Sequence, residues 1–140
     1  MTESKQTDLA LLAFAREAQE KAYAPYSDFH VGAAVFAGGE IYQGCNVENA
    51  AYGSTICAER GAAMAAVLAG HTHFDAIAIV GDSDVPVSPC GSCRQFLAEF
   101  NPEMRIVMGG SGDAVEVSSL DVLLPEAFVR GYLDHGAGRS

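Results

Sequence analysis

Three cysteines in two short stretches constrain this chain more than any other feature. Cys57 lies in TICAERGAAM, residues 55–64, while Cys90 and Cys93 lie in SPCGSCRQF, residues 88–96. Two cysteines separated by Gly91 and Ser92 can aim both sulfurs at one centre, and a third thiolate from elsewhere can complete one face of a tetrahedron. Zn²⁺ is the natural occupant of such a sulfur set. A structural zinc site closes with four protein ligands, whereas a catalytic one keeps a position open for water. Only three good ligands are in view, and the fold must bring the two stretches together. Glu59, two residues beyond Cys57, can sit beside the metal without coordinating it, where a proton carrier belongs.

The rest of the chain reads as alternating helices and strands. From Thr7 to about Tyr23, Leu11, Leu12, Phe14, Ala15 and Ala18 recur at helical spacing among charged residues, with Thr7 or Asp8 as the cap and Pro25 as the barrier to extension. His30 to Ala37, then Gly38 and Gly39, then Glu40 to Cys45 read as a β-hairpin. A helix is expected over Ile56 to Ala69, with Cys57 and Glu59 in its first turn. The apolar run Phe74 to Val80 is expected as a central strand buried on both faces. Pro89 to about Phe100 reads as a helix with Cys90 in its opening turn, where the helix N-terminus favours a thiolate. Met104 to Met108 is expected as a strand. The loop GGSGD is too short for a parallel crossover, so Ala114 to Val117 should return antiparallel. Ser118 to Leu123 then forms a short helix, and a frayed tail is expected from about residue 134. The fold class that follows is α/β, a three-layer α/β/α sandwich around a mixed sheet of about five strands.

At 140 residues this is expected to be one domain spanning 1–140. Eight basic against eighteen acidic residues leave a net charge of −10, which repels phosphate backbones and argues against a polynucleotide substrate. The polar N-terminus MTESKQTDL lacks the apolar run of a signal peptide, and no stretch approaches the roughly 20 apolar residues of a membrane span. The expectation is a cytoplasmic protein that meets neither membrane nor nucleic acid. In a reducing compartment the cysteines are better metal ligands than disulfide partners. A hydrophobic content of 49% is high for a small domain and points to a surface covered by another subunit.

Taken together, CAER and PCGSCRQ, with KAYAPYSDFHVGAA and NVENAAYG upstream, resemble a cytidine deaminase of the small homotetrameric type, over about Lys21 to about Phe128. The resemblance implies hydrolytic deamination of cytidine and 2′-deoxycytidine to the uridines plus ammonia, in pyrimidine salvage. One Zn²⁺ per subunit would be held by Cys57, Cys90 and Cys93, with water as fourth ligand. Glu59 would serve as both base and acid. Arg60 would donate to the thiolates and offset their charge, with Arg94 as a second candidate. By the same resemblance Asn46 and Glu48 would hold the ribose hydroxyls and Phe29 would pack on the pyrimidine face. The backbone at Ala58 and the carbonyl of Ser88 would address the base edge. Tyr52 and Phe128 would reach into a neighbouring subunit's site.

Three rival readings stand beside this one. A deaminase for another aminopyrimidine, such as blasticidin S, shares the zinc elements, although Glu48 favours a nucleoside sugar. A structural zinc module would need a fourth ligand, for which Cys45 is the candidate, although a small buried residue is expected there. A nucleic-acid editing role conflicts with the charge. None of the four histidines has a helpful spacing: His30 is expected to point outward from a strand, His71 and His73 to lie in a solvated loop, and His135 in the tail.

Overall fold

The computed structural model describes residues 3–133. The first helix, α1 (Glu3–Gln19), starts earlier and stops earlier than its apolar spacing suggests. Asp8 is therefore inside the helix rather than capping it. Its nearly buried carboxylate accepts two hydrogen bonds from Arg105, Nε at 3.0 Å and Nη2 at 2.6 Å. Pro25 does not end α1. The chain leaves the helix because Tyr23 pairs elsewhere, its N–H donating to the Asn46 carbonyl and its carbonyl accepting from the Glu48 N–H, each at 2.9 Å.

The hairpin is as expected, with strands β1 (Val31–Ala37) and β2 (Glu40–Cys45). Gly38 and Gly39 both have positive φ, +59° and +79°, the backbone that a two-residue turn of matching twist requires. His30 precedes β1 instead of lying on it. After a 3₁₀ turn at Tyr52–Ser54 come helix α2 (Ala58–Leu68), strand β3 (Ala76–Gly81), helix α3 (Gly91–Ala98), strands β4 (Arg105–Gly109) and β5 (Val115–Ser119), and the single-turn α4 (Leu120–Leu123). A second 3₁₀ turn lies at Arg130–Tyr132. Phe74, expected on β3, lies just before it and is buried against Phe100 in a stacked pair with ring centroids 4.5 Å apart. The expected tail and His135 lie outside the described residues.

The sheet has five strands in the order β2-β1-β3-β4-β5. Only β3 and β4 are parallel, joined by the crossover through α3; β5 returns antiparallel to β4, as the short loop demands. Alternation along the strands divides the apolar residues between two faces. Ala34, Ala78, Val80 and Val107 pack under Leu11, Leu12 and Ala15 of α1. Ala33, Val35, Ile77, Ile79, Ile106 and Met108 pack on the opposite face with Ala62 and Ala66 of α2 and Leu97 of α3. Helices thus cover both faces in three layers. The sequence of β3, AIAIVG, is buried along its whole length because it lies between them.

Close approach of α2 to the sheet sets the position of Cys57 and Glu59. At Gly44 a Cβ would stand 2.2 Å from the Ala62 nitrogen and 2.5 Å from the Ala58 carbonyl, so only glycine admits this helix. The α2 face turned inward is almost all alanine, which keeps helix and strand backbones near each other.

Candidate active site

Both cysteine stretches reach the same end of the sheet at helix N-termini. Cys57 and Cys90 have extended backbone, ψ 153° and 164°, and are the N-cap residues of α2 and α3, one position before the first turns where they were expected. Cys93 is inside the first turn of α3 and buried. The three sulfurs all lie within 4.8 Å of one another, and theirs is the metal-ligating cluster among the described residues. The free N–H groups of two helix starts favour negative charge there. The Cys57 thiol is pushed down to about 5, first by a hydrogen bond from Cys93, with Arg60 assisting. The same bond to Cys57, together with burial, pushes the Cys93 thiol up. Three sulfurs this close cannot all ionise without a cation among them. Soft thiolates at such a spacing fit Zn²⁺. Cys45 is not part of the cluster: its thiol turns to the Lys21 carbonyl at 3.6 Å, so it does not supply the fourth ligand that a closed structural site needs.

Glu59, on the first turn of α2, is only 5% exposed. Burial pushes its carboxyl pKa up. It lines a cavity of about 180 Å³ shared with Asn46, Cys57, Ala58, Ser88 and Cys90. Arg60 turns back along the helix start, its Nη2 donating to the Cys57 sulfur at 3.8 Å and to the Thr55 carbonyl at 3.3 Å. Its Nε is buried without a hydrogen-bond partner among the described residues. Arg94 does not reach the sulfurs. Its guanidinium is spent on the Pro89 carbonyl at 2.8 Å, the Leu123 carbonyl at 2.7 Å and the Ser88 Oγ at 2.7 Å. It pins the turn before Cys90 to α4, so that Arg60, and not Arg94, is the arginine bonded to a sulfur of the cluster.

The other wall comes from loops. Asn46, nearly buried just after β2, accepts a hydrogen bond from the Val31 N–H at 2.9 Å and donates to the Phe29 carbonyl at 2.8 Å. Its amide keeps a second hydrogen for a ligand. Glu48 lies in an adjoining hollow of about 420 Å³ with Tyr26, Ser27 and Tyr52, and Thr55 lines both spaces. One Glu48 oxygen accepts from the N–H groups of Tyr26 and Ser27 at 2.9 and 3.1 Å, and the other from the Ser27 hydroxyl. The Ser27 hydroxyl, above all, holds the Glu48 carboxyl below the ordinary carboxylate value. Phe29 rests its ring edge against Gly81. Tyr52 is 76% exposed and meets Tyr26 edge-on at 5.9 Å.

Phe128 lines neither hollow. It is 59% exposed and stacks on Tyr132, with its backbone N–H and carbonyl both bonded to the Gln95 side chain. The three histidines among the described residues stay away from the sulfurs. His30 faces Asp82, and His73 faces Asp75 at 3.7 Å. His71, read as solvated, is half-buried against the Tyr42 ring. Sequence reasoning overlooked Ser27 and Thr55, whose only signal was membership of the quoted stretches.

Comparison with known proteins agrees with this geometry. Residues 5–109 match the family described as the cytidine and deoxycytidylate deaminase zinc-binding region. A cytidine deaminase of Sporosarcina psychrophila is 47% identical over 129 residues, spanning 91% of this chain and 95% of that protein. The crystal structure of a cytidine deaminase from Burkholderia pseudomallei superposes with a TM-score of 0.83 at 46% identity, covering 91% of this chain and all of that one. That from Mycobacterium tuberculosis gives 0.75 at 37% identity, covering 86% and 95%. The chain belongs to the cytidine and deoxycytidylate deaminase family, as a hydrolytic deaminase of its zinc-binding type.

Proposed function

We propose that this chain deaminates cytidine and 2′-deoxycytidine, releasing ammonia and the corresponding uridine. The observation that carries the reading is the buried Glu59 in one cavity with Cys57 and Cys90, beside a cluster of three sulfurs within 4.8 Å. Held by Cys57, Cys90 and Cys93, Zn²⁺ would supply Lewis acidity, making water acidic enough to attack near neutral pH. Glu59 accepts the proton of the attacking water as it adds to C4 of the base. It then delivers protons to ring N3 and to the departing amine. Burial suits both roles, because a carboxyl short of solvent takes up a proton readily and gives it back.

Arg60 offsets part of the charge of the thiolates through its bond to Cys57. Phe29 packs on the pyrimidine, the Ala58 backbone and the Ser88 carbonyl meet the base edge, and Asn46 and Glu48 hold the sugar hydroxyls. The cavity of about 180 Å³ suits a base and the adjoining hollow a sugar. Tyr52 and Phe128, both exposed, close a neighbouring subunit's site in a homotetramer. The domain spans 1–140 and works in the cytoplasm on nucleosides for pyrimidine salvage, with one zinc per subunit and no nucleic-acid partner. The net charge of −10 supports the last point, and no helix among the described residues is long and apolar enough to cross a membrane. An aminopyrimidine substrate of the blasticidin S kind is not favoured, since the relatives matched are cytidine deaminases.

The test is the ultraviolet absorbance of cytidine incubated with zinc-loaded protein. Conversion to uridine is expected. Its absence, with zinc measured as bound, refutes the reading.

A further inference from the structure

Phe29 lies in irregular chain between α1 and β1, yet its backbone is fastened at every polar group from its own N–H to the Val31 carbonyl. The Phe29 N–H donates to Ser27 Oγ at 3.0 Å, and the Phe29 carbonyl accepts from Asn46 Nδ2 at 2.8 Å. The His30 N–H donates to Asp82 Oδ2 at 2.8 Å, and the His30 carbonyl accepts from Gln19 Nε2 at 3.1 Å. The Val31 N–H donates to Asn46 Oδ1 at 2.9 Å, and the Val31 carbonyl accepts from the Asn46 N–H at 3.2 Å. Five of these six bonds use side chains, so the segment is held by its surroundings and not by secondary structure.

Two of the anchors lie outside the site. Asp82 follows β3, and Gln19 is the last residue of α1. Gln19 Nε2 also donates to Asp82 Oδ1 at 3.0 Å, and His30 Nδ1 lies 2.7 Å from Asp82 Oδ2. An ionised carboxylate can only accept, so this ring nitrogen carries the proton. One carboxylate thereby gathers the backbone and ring of His30 and the end of α1. Asp82 is also covalently next to Gly81, against which the Phe29 ring rests. A Cβ on Gly81 would stand 3.1 Å from the ring's Cε1 and 2.9 Å from Val87 Cγ2. Backbone clamp and ring seat therefore sit on adjacent residues at the end of one strand.

We propose that Asp82, with Gln19, is a positioning residue that sets the Phe29 ring against the pyrimidine of the substrate, acting through the backbone and ring of His30. This rests on the reading of Phe29 as a base contact. A ring whose backbone can drift loses contact with a planar base long before the protein unfolds, so the clamp acts on substrate affinity. The role needs residues from three separate stretches, 19, 29–30 and 81–82, which explains why no motif announces it.

The test is a double-variant cycle with cytidine turnover and uridine binding as readouts. Asp82→Ala is expected to raise KM for cytidine and the Kd for uridine by about three- to tenfold, roughly the worth of one hydrogen bond, with kcat little changed. Asp82→Asn, which keeps an acceptor for the His30 N–H but turns its amide nitrogen toward Gln19 Nε2, should recover part of the loss. In a Phe29→Leu background Asp82→Ala should add nothing further, because the ring it positions is gone. Should Asp82→Ala not fold, Gln19→Ala takes its place in the same cycle. Unchanged KM and Kd with a lowered Tm, or a full additional effect in the Phe29→Leu background, would overturn the proposal and leave a purely structural clamp. A wild-type protein that neither converts cytidine nor binds uridine fails at the substrate reading itself, and the inference falls with it.

Discussion

The two walls of the site are built by different means. On the side proposed to carry the reaction, Cys57, Glu59, Cys90 and Cys93 stand on or immediately before the first turns of α2 and α3, which rest on a closely packed sheet face. Position there comes from regular backbone, and spacing along one helix places cap, ligand and carboxylate together. On the side proposed to recognise the substrate, Phe29, Asn46, Glu48 and Tyr52 lie in chain with little regular structure, fixed by side-chain bonds between distant residues such as Ser27 with Glu48 and His30 with Asp82. A centre that must hold a metal and move protons gains from rigid helix ends, while a surface that reads a ligand can be assembled from loops tied one bond at a time.

If that contrast is right, damage to the first wall shows in kcat and damage to the second in KM. The largest effect is expected from Cys90→Ala or from a strong chelator. Both should abolish turnover together with zinc content, and added zinc should restore only the chelated wild type. Activity persisting in the metal-free protein would break the contrast at its strongest point. Next, Glu59→Gln should keep its zinc, measured by metal analysis, and lose about 10²–10⁴-fold in kcat, the range that general acid–base catalysis supplies. Arg60→Gln should follow with a loss of about 10–100-fold in activity or zinc affinity, as expected for a residue bonded to a ligand atom.

On the recognition side Glu48→Gln should raise KM several-fold and spare kcat. Smallest is a pH effect on stability. The Ser27 hydroxyl holds the Glu48 carboxyl below 4.5, and the His30 N–H holds that of Asp82 below 3.8. Folding therefore favours both ionised forms. Their contribution is complete above those ordinary values and is lost as pH falls through the lower values of the folded state. Urea midpoints taken from about pH 6 to about pH 3 should decline, and less steeply in Glu48→Gln. An equal slope would show that this carboxylate does not hold its loop in solution.

Much of the cysteine cluster and its neighbouring glutamate was legible because its information is local. Cys90 and Cys93 announce themselves by spacing, Glu59 by its distance from Cys57, and the hairpin by two glycines at a turn. The errors arose where a distant partner decides. α1 ends at Gln19, before Tyr23, because Tyr23 pairs with residues after β2. Asp8 serves Arg105, far along the chain, instead of capping its own helix. Arg94, read as a possible companion of the thiolates, spends its donors on Pro89, Ser88 and Leu123. His71 lies in a loop as expected but is half-buried instead of solvated, because nothing in its neighbourhood mentions Tyr42.

By itself the sequence determined the three cysteines that cluster, the glutamate that lies beside them, the alternation of helices and strands, and a net charge of −10. These follow from residue type and short spacing, which chain connectivity preserves in any fold. Only the tertiary structure decided which arginine meets the sulfurs, that Cys45 stays out of the cluster, and that Asp82 and Gln19 stand behind Phe29. Each of these depends on which of several competing donors and acceptors come within about 3 Å once the sheet and its two helix layers close, and the sequence does not specify that distance.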